Sequence, residues 1–168
     1  MAITKIQSES LNLADTYAFT GTVTGAGGVN TPAFRAYRSG SNQTIANASD
    51  VKMQFNSESF DTDNCYDTSN YRFTPNVAGK YFFHCMLRFN GGGDSVLYEI
   101  YLRKNNSTVR AFRHEGASGD PFSIEISGIE EANGSTDYFD IFFYQASSSI
   151  QLTPSEATAI FEGYKIIE

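Results

Sequence analysis

The sequence predicts an all-β sandwich, and three observations carry that prediction. Apolar and polar residues alternate along run after run, clusters of glycine and asparagine separate the runs, and helical periodicity is hard to find. Alternation of period two puts successive side chains on opposite faces of a strand, whereas an amphipathic helix needs a repeat near 3.6. Short strands recurring between Gly/Asn turns fit two packed sheets, each burying one face.

Residues 1–31 stand apart. They carry a few spaced apolar side chains (Ile6, Leu11, Leu13, Tyr17, Phe19) and lead into Gly25-Ala26-Gly27-Gly28. A glycine cluster of this kind is a flexible hinge. A segment too sparse for its own core, hinged to a dense β-region, reads as an arm that orders against something else. An extra edge strand is the alternative. The expected organisation is an attachment arm over 1–28 and a β-head over 29–168.

Within the head, YRFTPNVAGKYFF (71–83) crowds aromatics around a Pro/Gly turn. Alone it fits an aromatic ligand platform. Its continuation decides for a turn feeding a core strand, because Tyr81, Phe83, Cys85, Leu87 and Phe89 share one face. Phe82, His84, Met86 and Arg88 form the other, grading from apolar to polar. The set Val96, Tyr98, Ile100, Leu102 alternates with Leu97, Glu99, Tyr101, Arg103, and Phe122, Ile124, Ile126 with Ser123, Glu125, Ser127. YFDIFFY (138–144) is apolar on nearly both faces and predicts a central strand buried on both sides. AIFEGYKII (159–167) is the last strand. Turns are expected at 90–94, 104–107, 116–121 and 133–135.

The bulk numbers bound the function. At 168 residues the chain is one domain, and its 14 Phe and 10 Tyr supply a core without metal or disulfide staples. A net charge of −7, with scattered arginines, argues against nucleic acid as the main partner. The two cysteines, Cys65 and Cys85, fit no metal spacing. A buried free thiol is the default for Cys85, with a 65–85 bridge as the minor alternative. The N-terminal residues lack the apolar core of a secretory signal, and no run approaches the ~18 apolar residues of a membrane span. Synthesis in the cytoplasm and no membrane insertion are therefore expected. The Asn-x-Ser/Thr triplets then read as turn composition.

No catalytic constellation emerges. His84 and His114 lack a nucleophile motif, and there is no Gly-x-Ser-x-Gly, no His-Glu-x-x-His and no phosphate-binding glycine loop. His114 is expected in a surface loop, and His84 on a sheet surface or subunit contact. Asp61-Thr62-Asp63-Asn64-Cys65 starts like a calcium loop, but Cys65 and Tyr66 occupy positions that need a ligand and a glycine, which excludes an EF-hand. A looser surface site on Asp61, Asp63 or Asp67 is weaker than the plain reading, in which Asp and Asn supply turn hydrogen bonds. No enzyme activity, cofactor or metal is expected.

With the strands placed, the sequence resembles a C1q-like domain of the C1q/tumour-necrosis-factor jelly-roll superfamily, from about Pro32 to Glu168. The residues that carry the likeness are Pro32-Ala33-Phe34-Arg35-Ala36, then Val51-Lys52-Met53-Gln54-Phe55, Phe60-Asp61 and Asn64-Cys65-Tyr66-Asp67. Phe73, Pro75, Gly79, Tyr81 and Phe83 follow, and Phe161-Glu162-Gly163-Tyr164 closes the chain. Tyr71 departs from the pattern, standing where a turn glycine is common. The resemblance implies a ten-stranded jelly roll assembled as a homotrimer, binding partners and performing no chemistry. Its fold and trimer-core positions here are Phe34, Phe55, Phe73, Tyr81, Phe83, Phe161, Gly163 and Tyr164. No collagen-like Gly-x-y stretch precedes the head, which disfavours a secreted collagenous protein.

The arm, Ile3–Asp15 followed by Tyr17–Gly25, is similar to N-terminal segments of small tailed-phage virion proteins. That likeness implies a bacteriophage structural protein on the virion surface, made in the host cytoplasm: a trimeric capsid decoration or cement protein. The arm, through Ile6, Leu11, Leu13, Tyr17 and Phe19, would dock on the major capsid or another virion protein. The alternative is a tail-fibre adhesin head that recognises a host surface glycan or protein through loops 90–94 and 116–121. A soluble lectin or cytokine-like ligand comes third.

Overall fold

Alternation becomes ladder along most of the head. In the computed structural model, residues 29–93, 95–116, 121–146 and 150–167 are described. Thirteen strand segments run through them: β1 (Ala33–Arg38), β2 (Gln43–Ile45), β3 (Val51–Lys52), β4 (Ser57–Asp61), β5 (Tyr66–Asp67), β6 (Arg72–Phe73), β7 (Ala78–Asn90), β8 (Leu97–Lys104), β9 (Ser107–Glu115), β10 (Phe122–Asn133), β11 (Phe139–Gln145), β12 (Ile150–Leu152) and β13 (Ser155–Lys165). The arm residues Ile6, Leu11, Leu13, Tyr17 and Phe19 lie outside the described residues.

The segments form two antiparallel sheets. The first runs β2-β12-β7-β13-β1-β4, with β10 on the other side of β7; the second runs β5-β6-β11-β8-β9, with β3 beside β11. Tyr81, Phe83, Cys85, Leu87 and Phe89 of β7 all point inward and are buried. They meet Tyr98, Ile100 and Leu102 of β8 and Phe139, Ile141 and Phe143 of β11. Rings stack or tilt across the gap, Phe83 on Phe139 at 4.5 Å, Phe89 on Phe143 at 4.3 Å and Phe34 on Phe73 at 4.2 Å. Each fully buried Phe side chain contributes roughly 1.5–3 kcal/mol, so this layer dominates stability.

Ten strands were expected and thirteen segments are found, because several ladders are interrupted after two or three residues. Side chains take over where they stop. Gln43, itself buried, donates from Nε2 to the carbonyl of Lys52 at 2.8 Å and accepts the N–H of Gln54 at 3.0 Å. The last strand begins at Ser155, four residues earlier than its apolar run, because its polar start still pairs with β1 at Arg38. His114 falls inside β9, not in a loop.

Turn chemistry follows the residues. Asn105 and Asn106, at φ 51° and 67°, join β8 to β9 with the two consecutive left-handed residues that a tight hairpin of matching twist needs. Tyr71, at φ 55°, holds a left-handed turn position that glycine would adopt without strain. After it Phe73 and Tyr81 are fully buried, and the Tyr81 hydroxyl donates to the Val77 carbonyl at 2.6 Å.

Candidate functional site

The outward side of β7 carries Phe82, His84, Met86 and Arg88, half-buried except for the last. Pairing brings other strands beside them. Phe82 lies opposite Tyr164 of β13 and Ile129 of β10, His84 opposite Glu162 and Ser127, and Met86 opposite Ile160 and Glu125. Beyond β13, Arg35 of β1 lies opposite Glu162, and Phe60 of β4 opposite Arg35.

One end of this outer face is aromatic. Phe60, Ile129 and Tyr164 are 48%, 48% and 41% exposed, and the rings of Phe82 and Tyr164 meet at 5.5 Å. Phe60, Phe82 and Tyr164 border a cavity of about 330 Å³ that Asn30, Ala33 and Gly163 complete, while Ile129 lies on the far side of Phe82 on β10. Gly163 leaves no room for a larger residue: a Cβ there would lie 2.7 Å from the Phe82 carbonyl oxygen and 2.9 Å from the Phe83 ring.

A charged row follows. The Arg35 guanidinium lies 3.4 Å from the Glu162 carboxylate, which lies 3.0 Å from Nδ1 of His84; Nε2 of His84 lies 3.8 Å from Glu125. A second opening lies where the sheets part between β9 and β10. It forms cavities of about 460 and 270 Å³, along which Phe112 is 48% exposed beside the buried Ile124 and Ile126. Arg110 closes one side, passing over Gly128 to pair with Glu130 at 2.9 Å.

The other groups weighed from sequence are structurally engaged. Asp61 accepts the backbone N–H of Tyr66 at 2.7 Å, and Asp67 accepts those of Ser69 and Asn70 at 2.8 and 3.0 Å. The Asn70 side-chain hydrogen bond chiefly holds Asp67 below the usual carboxylate range. Among the described residues no group of three or more His, Cys, Asp or Glu is placed to hold a metal. Cys65 and Cys85 are free and buried, and burial pushes both thiols above their ordinary range, Cys85 well above it. Low thiolate content leaves them poor nucleophiles. His114 is exposed on β9.

Six of the scaffold positions read from sequence, Phe34, Phe55, Phe73, Tyr81, Phe83 and Phe161, lie in the core between the sheets. Gly163 is buried against Phe34 and Phe83, and Tyr164 lies on the outer face, 41% exposed. The strand expected over 138–144 to be buried on both sides is buried on its inner side and buried to half-buried on its outer side. The outer side of β11 is roofed by side chains: Lys52 pairs with Asp140 at 2.7 Å, and the Arg103 guanidinium lies 4.0 Å from the centre of the Phe142 ring. Just before the strand, Arg72 lies 4.1 Å from the centre of the Tyr138 ring. Phe60, Arg35, Glu125 and Ile129 were not singled out for the outer face. An apolar Phe82 on a polar-going face was the available signal; which strands flank it was not readable.

No protein-family model matches the chain, and no curated protein sequence does. Solved structures do match. The globular domain of zebrafish complement 1qA superposes with a TM-score of 0.59 at 15% identity, covering 80% of this chain and 96% of that one. Eiger TNF from S. frugiperda gives 0.61 at 8% identity, covering 80% and 91%. Murine APRIL gives 0.59 at 8% identity, covering 80% and 98%. At such identities the likeness speaks for the fold alone, and with the sheet order above it identifies the head as a C1q/TNF-like jelly roll.

Proposed function

We propose that this chain is a non-catalytic assembly head: a homotrimer on a bacteriophage virion, held by residues 1–28 to the major capsid protein or another virion protein as decoration or cement. The observation that carries the trimer is the outer face of the first sheet, where Phe60 and Tyr164 are exposed around a cavity that the half-buried Phe82 also lines, and Ile129 extends the apolar surface beyond Phe82. Exposed apolar patches of this kind mark contact sites, and closed symmetry covers them with copies of the same chain. The threefold number comes from the family resemblance, and the virion role from the likeness of the arm.

Size-exclusion chromatography with light scattering on the full chain is expected to give the mass of three chains, and Tyr164→Ser with Phe60→Ser to shift it towards one. A monomeric native chain overturns the trimer. Removing residues 1–28 is expected to leave the oligomer intact and abolish binding to virions lacking this protein; retained binding overturns the docking role of the arm.

A second reading, a tail-fibre head for a host glycan or protein, is favoured by the joining of two loops at one end. Ser95 N–H donates to the Gly116 carbonyl at 2.8 Å, and Gly116 N–H to that of Val96 at 2.7 Å. This reading expects the isolated protein to bind host cells and compete with infection.

A further inference from the structure

The row Arg35, Glu162, His84, Glu125 lies across the middle of the face assigned above to self-association, with Phe82, Tyr164 and Ile129 on one side and Met86 and Ile160 on the other. With a neutral imidazole the row holds one positive and two negative charges, a net −1; a protonated His84 makes it zero. Both ring nitrogens face carboxylates, at 3.0 and 3.8 Å, so an added proton has an acceptor waiting on either side. Three further charged or titratable groups border the row: His114 of β9 lines one cavity with Met86 and Glu125, Arg110 of β9 lines another with Glu125, and the Glu156 carbonyl of β13 accepts from Arg35 at 3.1 Å while its carboxylate accepts from Ser59 at 2.7 Å. Lys80 and Glu131 are opposite one another, and Arg88 lies opposite the uncharged Ser123. β13 presents Thr158, Ile160 and Tyr164 around Glu162, and β1 adds Tyr37 beside Arg35, none of which carries a charge at neutral pH.

Solvent tolerates the net charge of this row while the face is open. A second copy laid over it removes water, and an uncompensated charge then costs far more than a balanced set. We propose that self-association of this chain takes up a proton at His84, so that acidification within the range where imidazoles gain charge tightens the assembly. The sign follows from linkage: if the assembled state binds more protons than the separated chains, association strengthens as pH falls. The inference rests on the self-association reading above and adds its regulation.

Sedimentation of the full chain at about pH 6 and about pH 8, at fixed ionic strength, tests it within the imidazole range. The dissociation constant is expected to fall about tenfold or more at the lower pH, and His84→Gln to remove that change. Glu125→Gln makes the row neutral with an uncharged imidazole, so its tightening on acidification is expected to vanish too. His114→Gln, altering the histidine that lines a cavity with Glu125, is expected to keep it; a His114→Gln assembly indifferent to pH overturns His84 as the site of uptake. An assembly indifferent to pH, or a His84→Gln assembly with the native pH dependence, overturns the proton uptake alone. A chain monomeric at both pH values overturns the self-association reading with it.

Discussion

The ammonium of Lys52, at the end of β3, lies 2.7 Å from the carboxylate of Asp140, which is 1% exposed within β11. The other carboxylate oxygen of Asp140 is buried without a hydrogen-bond partner among the described residues. Lys52 is thus the counter-charge for a carboxylate that β11 buries on its outer side, beneath covering side chains. Removing one partner of such a pair leaves a charge without compensation. Lys52→Met is expected to destabilise the protein by about 2–4 kcal/mol, below the fully buried range because Lys52 itself is partly exposed. Urea unfolding checks it, and a loss under about 0.5 kcal/mol would mean that water reaches Asp140.

Gly163 is required by space. Its would-be Cβ meets the Phe82 carbonyl oxygen at 2.7 Å, Phe83 at 2.9 Å and Phe34 at 3.1 Å. Overpacking against backbone costs about 1–3 kcal/mol, and Gly163→Ala is expected at the upper end. Chemical denaturation of the single variant, and of the double variant with Phe34→Leu, reads the cost. The double variant should recover part of it, since the two positions share a contact.

Ala48 pays for its backbone conformation. It sits exposed at φ 51°, a region that L-residues with a Cβ disfavour, while its N–H donates to the Gln145 carbonyl at 2.8 Å. Ala48→Gly keeps the hydrogen bond and removes the clash. An increase of about 0.5–1 kcal/mol is expected, partly offset by the added freedom of the unfolded chain. Thermal melting measures it as a rise in Tm; a fall would contradict the strain.

Asp137 predicts the shape of the acid limb. A hydrogen bond from Lys104 first, then one from Asn105, hold its carboxyl below the usual range. A lowered folded-state value means stabilisation present above the unfolded value, near 3.9, and lost as pH falls through the folded value. Asp67 contributes with the same sign. Asp137→Asn is expected to lower stability at neutral pH by about 1 kcal/mol and to flatten the Tm profile below about pH 4. An unchanged acid limb would show that other carboxylates govern it.

Legibility in the sequence varied with the range of the interaction. The core face of β7 was readable from Tyr81 to Phe89, and so was the turn at Asn105-Asn106, because alternation and turn preference act between near neighbours. Segments such as β3 and β5 were not legible as strands, since their two-residue ladders depend on a distant partner. The covering of β11 escaped for a related reason: Arg103 faces Phe142 only because β8 and β11 pair in one register.

Legible from the residues alone were the all-β class, the core face of Tyr81, Phe83, Cys85, Leu87 and Phe89, and the want of a catalytic motif, while Phe34, Phe73 and Phe161 were read through the family resemblance. The first three follow from side-chain period and residue type, which need no knowledge of the partner strand. That Arg35, Glu162, His84 and Glu125 form one row beside Phe60, Phe82 and Tyr164 became visible with the strand pairing. His84 and Glu162 are 78 residues apart in the chain. What joins them is the β1-β13-β7-β10 order, and strand order is set by how the whole core packs.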